Sequence, residues 1–220
     1  MRADDLVTKR EVLTAFSAAG SARVMFALVT AATAGRIVAG GWSLVDTVVI
    51  AVSVGLVGIV EWCIHLFLLH APVGSLRMRV LKTGVGHRQH HLDPSELSYV
   101  LLGPIDTAVF GVMIAGGTAA WTMPLALVVG GEGLMAAWLT GLLFAYLSLA
   151  HYEWTHLLVH TRYRPRTRFY RRLARNHRLH HYRNERYWLG VTSNVGDRVF
   201  GSYPRSRSDV PLSATARNLA

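Results

Sequence analysis

Residues Leu134 to His160 read LMAAWLTGLLFAYLSLAHYEWTHLLVH. From Gly133 to Tyr152 the chain has no Asp, Glu, Lys or Arg. A helix rises about 1.5 Å per residue and the hydrocarbon core of a bilayer is about 30 Å thick, so this run is long enough to cross it. Histidines mark its end, at His151, His156 and His160. His156 and His160 are four residues apart and share one face of a helix. The segment therefore reads as a membrane span that carries paired imidazoles to one edge of the bilayer.

Three more apolar segments lie upstream. One runs from about Ala19 to Gly41, with Arg23 near its start and Arg36 inside it. A mid-membrane arginine is costly unless it snorkels or faces a polar interior, so this span is expected to tilt or to sit toward an interface. A second, about Leu44 to Leu69, holds 14 uncharged residues from Thr47 to Val60 and then Glu61. A third, about Thr107 to Gly131, has 25 uncharged residues, with Gly116, Gly117 and Pro124 as places for a bend or a short outer loop. Four crossings is the simplest count.

The rest of the composition agrees with a membrane chain of 220 residues, 51% hydrophobic and 16% charged, with a mean hydropathy of +0.29. The net charge of +10 is concentrated near the end, where thirteen arginines lie between Arg162 and Arg207. Nucleic-acid binding would also use such cations, but beside apolar spans they read as a cytoplasmic flank. The connections Gly40 to Asp46 and Val129 to Gly133 lack Lys and Arg, whereas Arg2, Lys9, Arg10, Arg77, Arg79, Lys82 and Arg88 lie on the other side of the spans. Both termini, the middle loop and the histidine-bearing ends are thus expected in the cytoplasm. The polar N-terminus does not read as a signal peptide, and the chain is expected to be retained whole. Residues 1–18 read as a cytoplasmic segment, 19–203 as one membrane-embedded domain and 204–220 as a flexible end. Arg162 to Tyr182 reads as helical, lying near the membrane surface.

All 11 histidines fall in four clusters: HLFLLH (His65, His70), HRQHH (His87, His90, His91), HYEWTHLLVH (His151, His156, His160) and HRLHH (His177, His180, His181). The lone Cys63 excludes an intramolecular disulfide framework, an all-cysteine zinc site and a four-thiolate iron–sulfur cluster, and imidazole suits iron, zinc and other first-row metals. Ten imidazoles exceed the needs of one ion, so the pattern points to two metals, with five ligands from each half of the chain. His65 and His70, five apart, diverge by about 140° on an ideal helix and need a helix end or a local distortion to meet. His151 reads as a supporting group. Glu61, Asp93, Glu153 and Asp197 are candidates to accept the distal N–H of a ligating ring and fix its orientation.

HLFLLH, HRQHH, HLLVH and HRLHH, with HHLDP (His90 to Pro94) and GDRVFG (Gly196 to Gly201), resemble the fatty acid hydroxylase superfamily, which includes sterol desaturases and lipid hydroxylases. The resemblance covers about Glu61 to Gly201. It implies an all-α fold, a four-span helical bundle with a cytoplasmic helical cap, and a di-iron centre held by the ten histidines other than His151. It further implies O2-dependent hydroxylation of a lipid (fatty acyl, sterol or related isoprenoid), with a ferredoxin, cytochrome or reductase as a separate electron donor. Desaturation remains open, as does carotenoid hydroxylation, since HLLVHTRY is also similar to carotenoid hydroxylases. Zinc fits the same ligands but carries no redox step. A metal transporter or a non-catalytic metal-binding membrane protein are the readings from other classes.

Overall fold

The computed structural model describes all residues except 82, 130–132, 218 and 220, and no side chain at 80, 81 or 83. Lys82 and most of the third-to-fourth-span connection, including the expected end at Gly131, lie outside the described residues. The described chain is all-α: α1 (Lys9–Ala18), α2 (Gly20–Val38), α3 (Leu44–Ile64), α4 (Leu76–Leu81), α5 (Thr83–Leu92), α6 (Leu97–Val100), α7 (Pro104–Val129), α8 (Leu134–His160), α9 (Arg168–Tyr182) and α10 (Val195–Val199). Four stretches are long and apolar enough to cross a membrane: Gly20–Val38, Leu44–Leu69, Leu97–Val129 and Leu134–His160. The fourth has the bounds read from the sequence. Within the third, α7 is helical through Gly116, Gly117 and Pro124, and starts on Pro104, where the missing N–H costs nothing.

The chain divides into two compact units. One, Ser17–Val57 with Leu102–His151, holds α2, α7 and most of α3 and α8. Ala32, Leu142 and Tyr146 form one core cluster, and Val45, Val49, Ala126 and Ala137 another. Gly111 admits Leu28 of α2 closely against α7. Hydroxyls are satisfied inside their own helices: Thr33 donates to the Val29 carbonyl, Ser53 to Val49 and Thr122 to Thr118. That is the requirement where no water is available. Arg36 is at the end of α2; its Nε donates to Thr140 Oγ1 at 2.8 Å, and Nη2 lies 3.3 Å from Asp46 Oδ1. The polar partners that the sequence required for this arginine are thus Asp46, Thr140 and the carbonyls of Gly40 and Gly41.

The other unit comprises Met1–Phe16, Gly58–Leu101 and Tyr152–Ala220. It contains all ten histidines of the two pairs and two triples. Thr167 caps α9, accepting from the Tyr170 N–H, and this helix has two unlike faces. Leu173, Ala174, Asn176, His177, His180 and His181 are buried, while Arg171, Arg172, Arg175 and Arg178 are exposed. Gly58 and Gly196 let α10 lie directly on α3, because a Cβ on Gly196 would collide with Trp62 and the Gly58 carbonyl. The N-terminal residues pack here too: Ala3 N–H donates to the Ser95 carbonyl at 2.7 Å, and the Leu6 carbonyl accepts from Arg162 and Tyr163.

The segment read as a flexible end also packs in this unit. Val210 and Ala216 are buried, and Ser213 N–H donates to the Arg183 carbonyl at 2.8 Å. Its Ser, Arg and Pro content resembles a solvated tail because most of its contacts run through the backbone.

Candidate metal centre

His65 and His70 are joined by a π-helical turn, His65–Leu69, closed by a bond from His70 N–H to the His65 carbonyl at 3.0 Å. The wider turn absorbs the five-residue spacing and brings the two ring centroids to 4.8 Å. Such turns recur at functional sites because they re-aim one side chain without ending the helix.

Each HxxHH motif lies on a short helix, α5 or α9. On a helix, positions i and i+4 share a face and neighbouring residues point about 100° apart. The motif therefore divides its rings between two places. His65, His70, His87, His91 and His180 form one group, and His90, His156, His160, His177 and His181 the other. Within each group one potential ligand atom per residue lies within 4.8 Å of all the others. Each triple keeps its i, i+4 pair for its own group and gives the middle histidine to the opposite one. His91 and His181 rings stack at 4.1 Å where the groups adjoin.

Four of the rings are held through Nδ1 by backbone carbonyls, whereas the buried Nδ1 atoms of His90, His177 and His181 have no hydrogen-bond partner among the described residues. His65 Nδ1 meets the Leu189 carbonyl at 2.5 Å, His91 that of Ala216 at 2.7 Å, His156 that of Val100 at 2.9 Å and His180 that of Tyr187 at 3.0 Å. A carbonyl only accepts, so Nδ1 carries the proton and Nε2 keeps its lone pair. The buried Nε2 atoms of His91, His156 and His180 have no hydrogen-bond partner. Elsewhere Nε2 atoms face one another, at 3.1 Å for His65 and His87, 3.1 Å for His70 and His87, and 2.8 Å for His160 and His177. Nitrogens at right angles around an ion at about 2.1 Å would be about 3.0 Å apart. Buried lone pairs converging at this spacing are the environment of a cation, and the donor set fits two metal ions.

Burial keeps the rings neutral. The pKa values of His70, His87, His90, His177, His180 and His181 lie well below the ordinary imidazole value, and that of His91 is pushed down to about 3. Desolvation is the main cause, reinforced by neighbouring imidazoles.

The five other candidates lie elsewhere. Glu61 does not meet an imidazole in the hydrogen-bond network; it accepts from Val191 N–H at 2.5 Å, Thr192 N–H at 2.8 Å and the Thr192 hydroxyl. Asp197 likewise binds backbone, accepting from Leu189 N–H and Gly190 N–H at 2.9 Å each and from Ser202 Oγ at 2.5 Å. These two buried carboxylates fix the 189–192 loop and so the carbonyl that orients His65. Burial raises the pKa of Asp197, opposed by those hydrogen bonds. Asp93 pairs with Arg2 at 2.9 Å, which holds its carboxyl below the usual range. Glu153 is buried on α8 and His151 is exposed, and neither belongs to a histidine group. The carbonyls of Leu189, Tyr187, Val100 and Ala216 had no signal in the sequence, since every residue has one.

The fatty acid hydroxylase family model matches residues 49–202, a stretch that includes every histidine of both groups. The chain belongs to the fatty acid hydroxylase family. Among fatty acid hydroxylase relatives, it is 27% identical over 146 residues to dihydroceramide fatty acyl 2-hydroxylase FAH2 of Arabidopsis thaliana. The match covers 66% of this chain and 56% of that protein, so the chain spans just over half the length of the relative. It is also similar to the structure of full-length scs7p, in which only the hydroxylase domain is visible, with a TM-score of 0.64 and 25% identity over 89% of this chain and 69% of the other. As a fatty acid hydroxylase family member, the chain combines four apolar helices with two five-histidine groups suited to holding two metal ions.

Proposed function

We propose that this chain is a membrane-bound di-iron hydroxylase acting on the acyl chain of a lipid, with dioxygen as co-substrate and electrons from a separate ferredoxin, cytochrome or reductase. The observation that carries this reading is the pair of five-imidazole groups with converging, unpartnered Nε2 lone pairs. His65, His70, His87, His91 and His180 would hold one iron, and His90, His156, His160, His177 and His181 the other. Two irons bound there supply redox chemistry that turns dioxygen, electrons and protons into a hydroxylated C–H position and water. Zinc would fill the same ligands but could not take part in the redox step.

The chain's own residues prepare that chemistry. Carbonyls of Leu189, Tyr187, Val100 and Ala216 hold protons on Nδ1 and aim Nε2 inward. Glu61 and Asp197 keep the 189–192 loop in place, and burial holds the rings neutral so that no proton competes with the metal. A 27-residue α8 is about 40 Å long, more than the hydrocarbon thickness, so its last turns can present His156 and His160 at the membrane edge. The distribution of Arg and Lys supports a cytoplasmic site, with both termini on that side. The fatty acyl substrate, rather than a sterol or carotenoid, is supported by the relative's activity on a fatty acyl group.

The test is incubation of the iron-loaded protein in lipid vesicles with a reductant and ¹⁸O2. Acyl lipids carrying one ¹⁸O atom per product molecule are expected by mass spectrometry. Oxidation of reduced, iron-loaded protein with no labelled product from acyl lipids would overturn the acyl assignment, and an alkene product would turn the reading to desaturation.

A further inference from the structure

The acceptor for His91 comes from the very end of the chain, outside the stretch that matches the family. The other carbonyls seen to bond these imidazoles, of Pro94, Val100, Tyr187 and Leu189, all lie inside residues 49–202. We infer that residues 210–217 form a strap that positions His91 and thereby completes one of the two metal centres, the group of His65, His70, His87, His91 and His180.

The strap ties the C-terminal ends of the two HxxHH helices together. At the α9 end, Arg183 Nε donates to the Val210 carbonyl at 2.8 Å, Asn184 Nδ2 to the Pro211 carbonyl at 3.2 Å, and Ser213 N–H to the Arg183 carbonyl. Thr215 Oγ1 donates to Glu185 at 2.6 Å. At the α5 end, Ala216 offers its carbonyl to His91 Nδ1, and Arg217 donates to the carbonyls of His91 at 3.3 Å and Leu92 at 3.1 Å. The last carbonyls of a helix have no partner within it and carry partial negative charge, so a guanidinium there is a favourable cap. The same guanidinium carbon lies 5.1 Å from the centre of the Tyr182 ring, at the end of α9. Arg217 therefore touches both helices at once.

Without the strap, the buried Nδ1–H of His91 loses its acceptor, and the ring is free to rotate or change tautomer. Its Nε2, which has no other partner, then no longer points reliably into the group. The second group takes no ring acceptor from residues 210–217 in the hydrogen-bond network, so the effect falls on one centre. A positioning role of this kind acts through His91, not on substrate.

The inference rests on the two-metal reading, and metal content separates the two. The 220-residue chain, the chain ending at Ser213 and the R217A variant are purified from iron-supplemented cells, and metal per chain and release to a chelator are measured. The 220-residue chain is expected to hold two ions. The shortened chain is expected to hold one, which H156A then removes and H65A does not. R217A, a milder change, is expected to release one of its two ions about tenfold to a hundredfold faster, the usual effect of losing an outer partner of a ligand, with R217K partly restoring the rate. Two ions released from both variants at the rate of the 220-residue chain would overturn the strap. If the shortened chain aggregates, the R217A release rate decides alone. No metal in any form would overturn the two-metal reading and the strap with it.

Discussion

Glu61 and His151 show how a side chain's chemistry and its placement separate. Both look like supporters of a metal site in the sequence, one because it lies four residues before His65, the other because it lies five before His156. In the structure Glu61 is buried and satisfies two backbone N–H groups and a hydroxyl of the 191–192 turn, so it supports His65 through the loop that includes Leu189. E61A would leave those buried donors unpaired, which costs about 1–3 kcal/mol for each. We expect a loss of about 3 kcal/mol, visible as a lower denaturant midpoint in detergent, with E61Q losing less. His151 belongs to neither group. H151A is expected to keep full metal content, and loss of an ion from it would show that the ligand set is larger than ten. The imidazoles themselves were legible because chemistry fixed their type and spacing fixed their face. Their partners were not, because backbone carbonyls carry no sequence signature and choose their ring only once distant segments meet.

At the scale of helices, the bounds of α8 followed from its apolar run, and the amphipathic α9 from a stretch dense in arginine and leucine. The π-helical turn at His65–Leu69 was legible only as a conflict: two ligands five apart could not share an α-helical face, so some distortion was required without its kind being fixed. Residues three or four apart share a helix face, which predicts that each HxxHH turns its rings toward one centre; the structure instead divides each motif between two groups, because neighbours step by 100° and α5 and α9 pack so that the middle histidine faces the opposite group. The contact of α10 on α3 is equally tertiary. Gly196 has room for hydrogen alone against Trp62 and Gly58. G196V is expected to force α10 outward, to disturb Asp197 and the 189–190 amides it holds, and to lower both melting temperature and metal content. A variant with unchanged metal content would show that the loop is held without that contact. T167A removes the α9 cap and should cost about 1 kcal/mol, measured by the same denaturant series.

For the whole molecule, the sequence distinguished membrane spans from a polar remainder but presented residues 204–220 as a solvated tail, because several contacts of the described residues there run through backbone carbonyls and amides, which leave no mark in residue type. Gathering ten histidines into one compact unit has a further consequence for stability. Their folded-state pKa values outside the spans lie below the unfolded value of about 6.5, so the neutral form is the folded one. The contribution is fully present above about pH 6.5 and is lost as the pH falls toward about 3, the value for His91. Metal-free protein is therefore expected to lose its near-UV circular dichroism steeply below pH 6.5, and metal-bound protein to resist to lower pH. Equal acid sensitivity of the two forms would mean that the rings are not metal ligands.

Crossed sharing of histidines between two ions is the defining feature of the site, and iron counting in double variants tests it most directly. H91A/H180A, which removes two ligands of one group, is expected to leave one iron per chain, as is H90A/H181A for the other group. H90A/H180A, which takes the middle histidine of each triple and so one ligand from each group, is expected to weaken both sites and leave well under one. Retention of a full iron in H90A/H180A, with both lost in H91A/H180A, would contradict the arrangement.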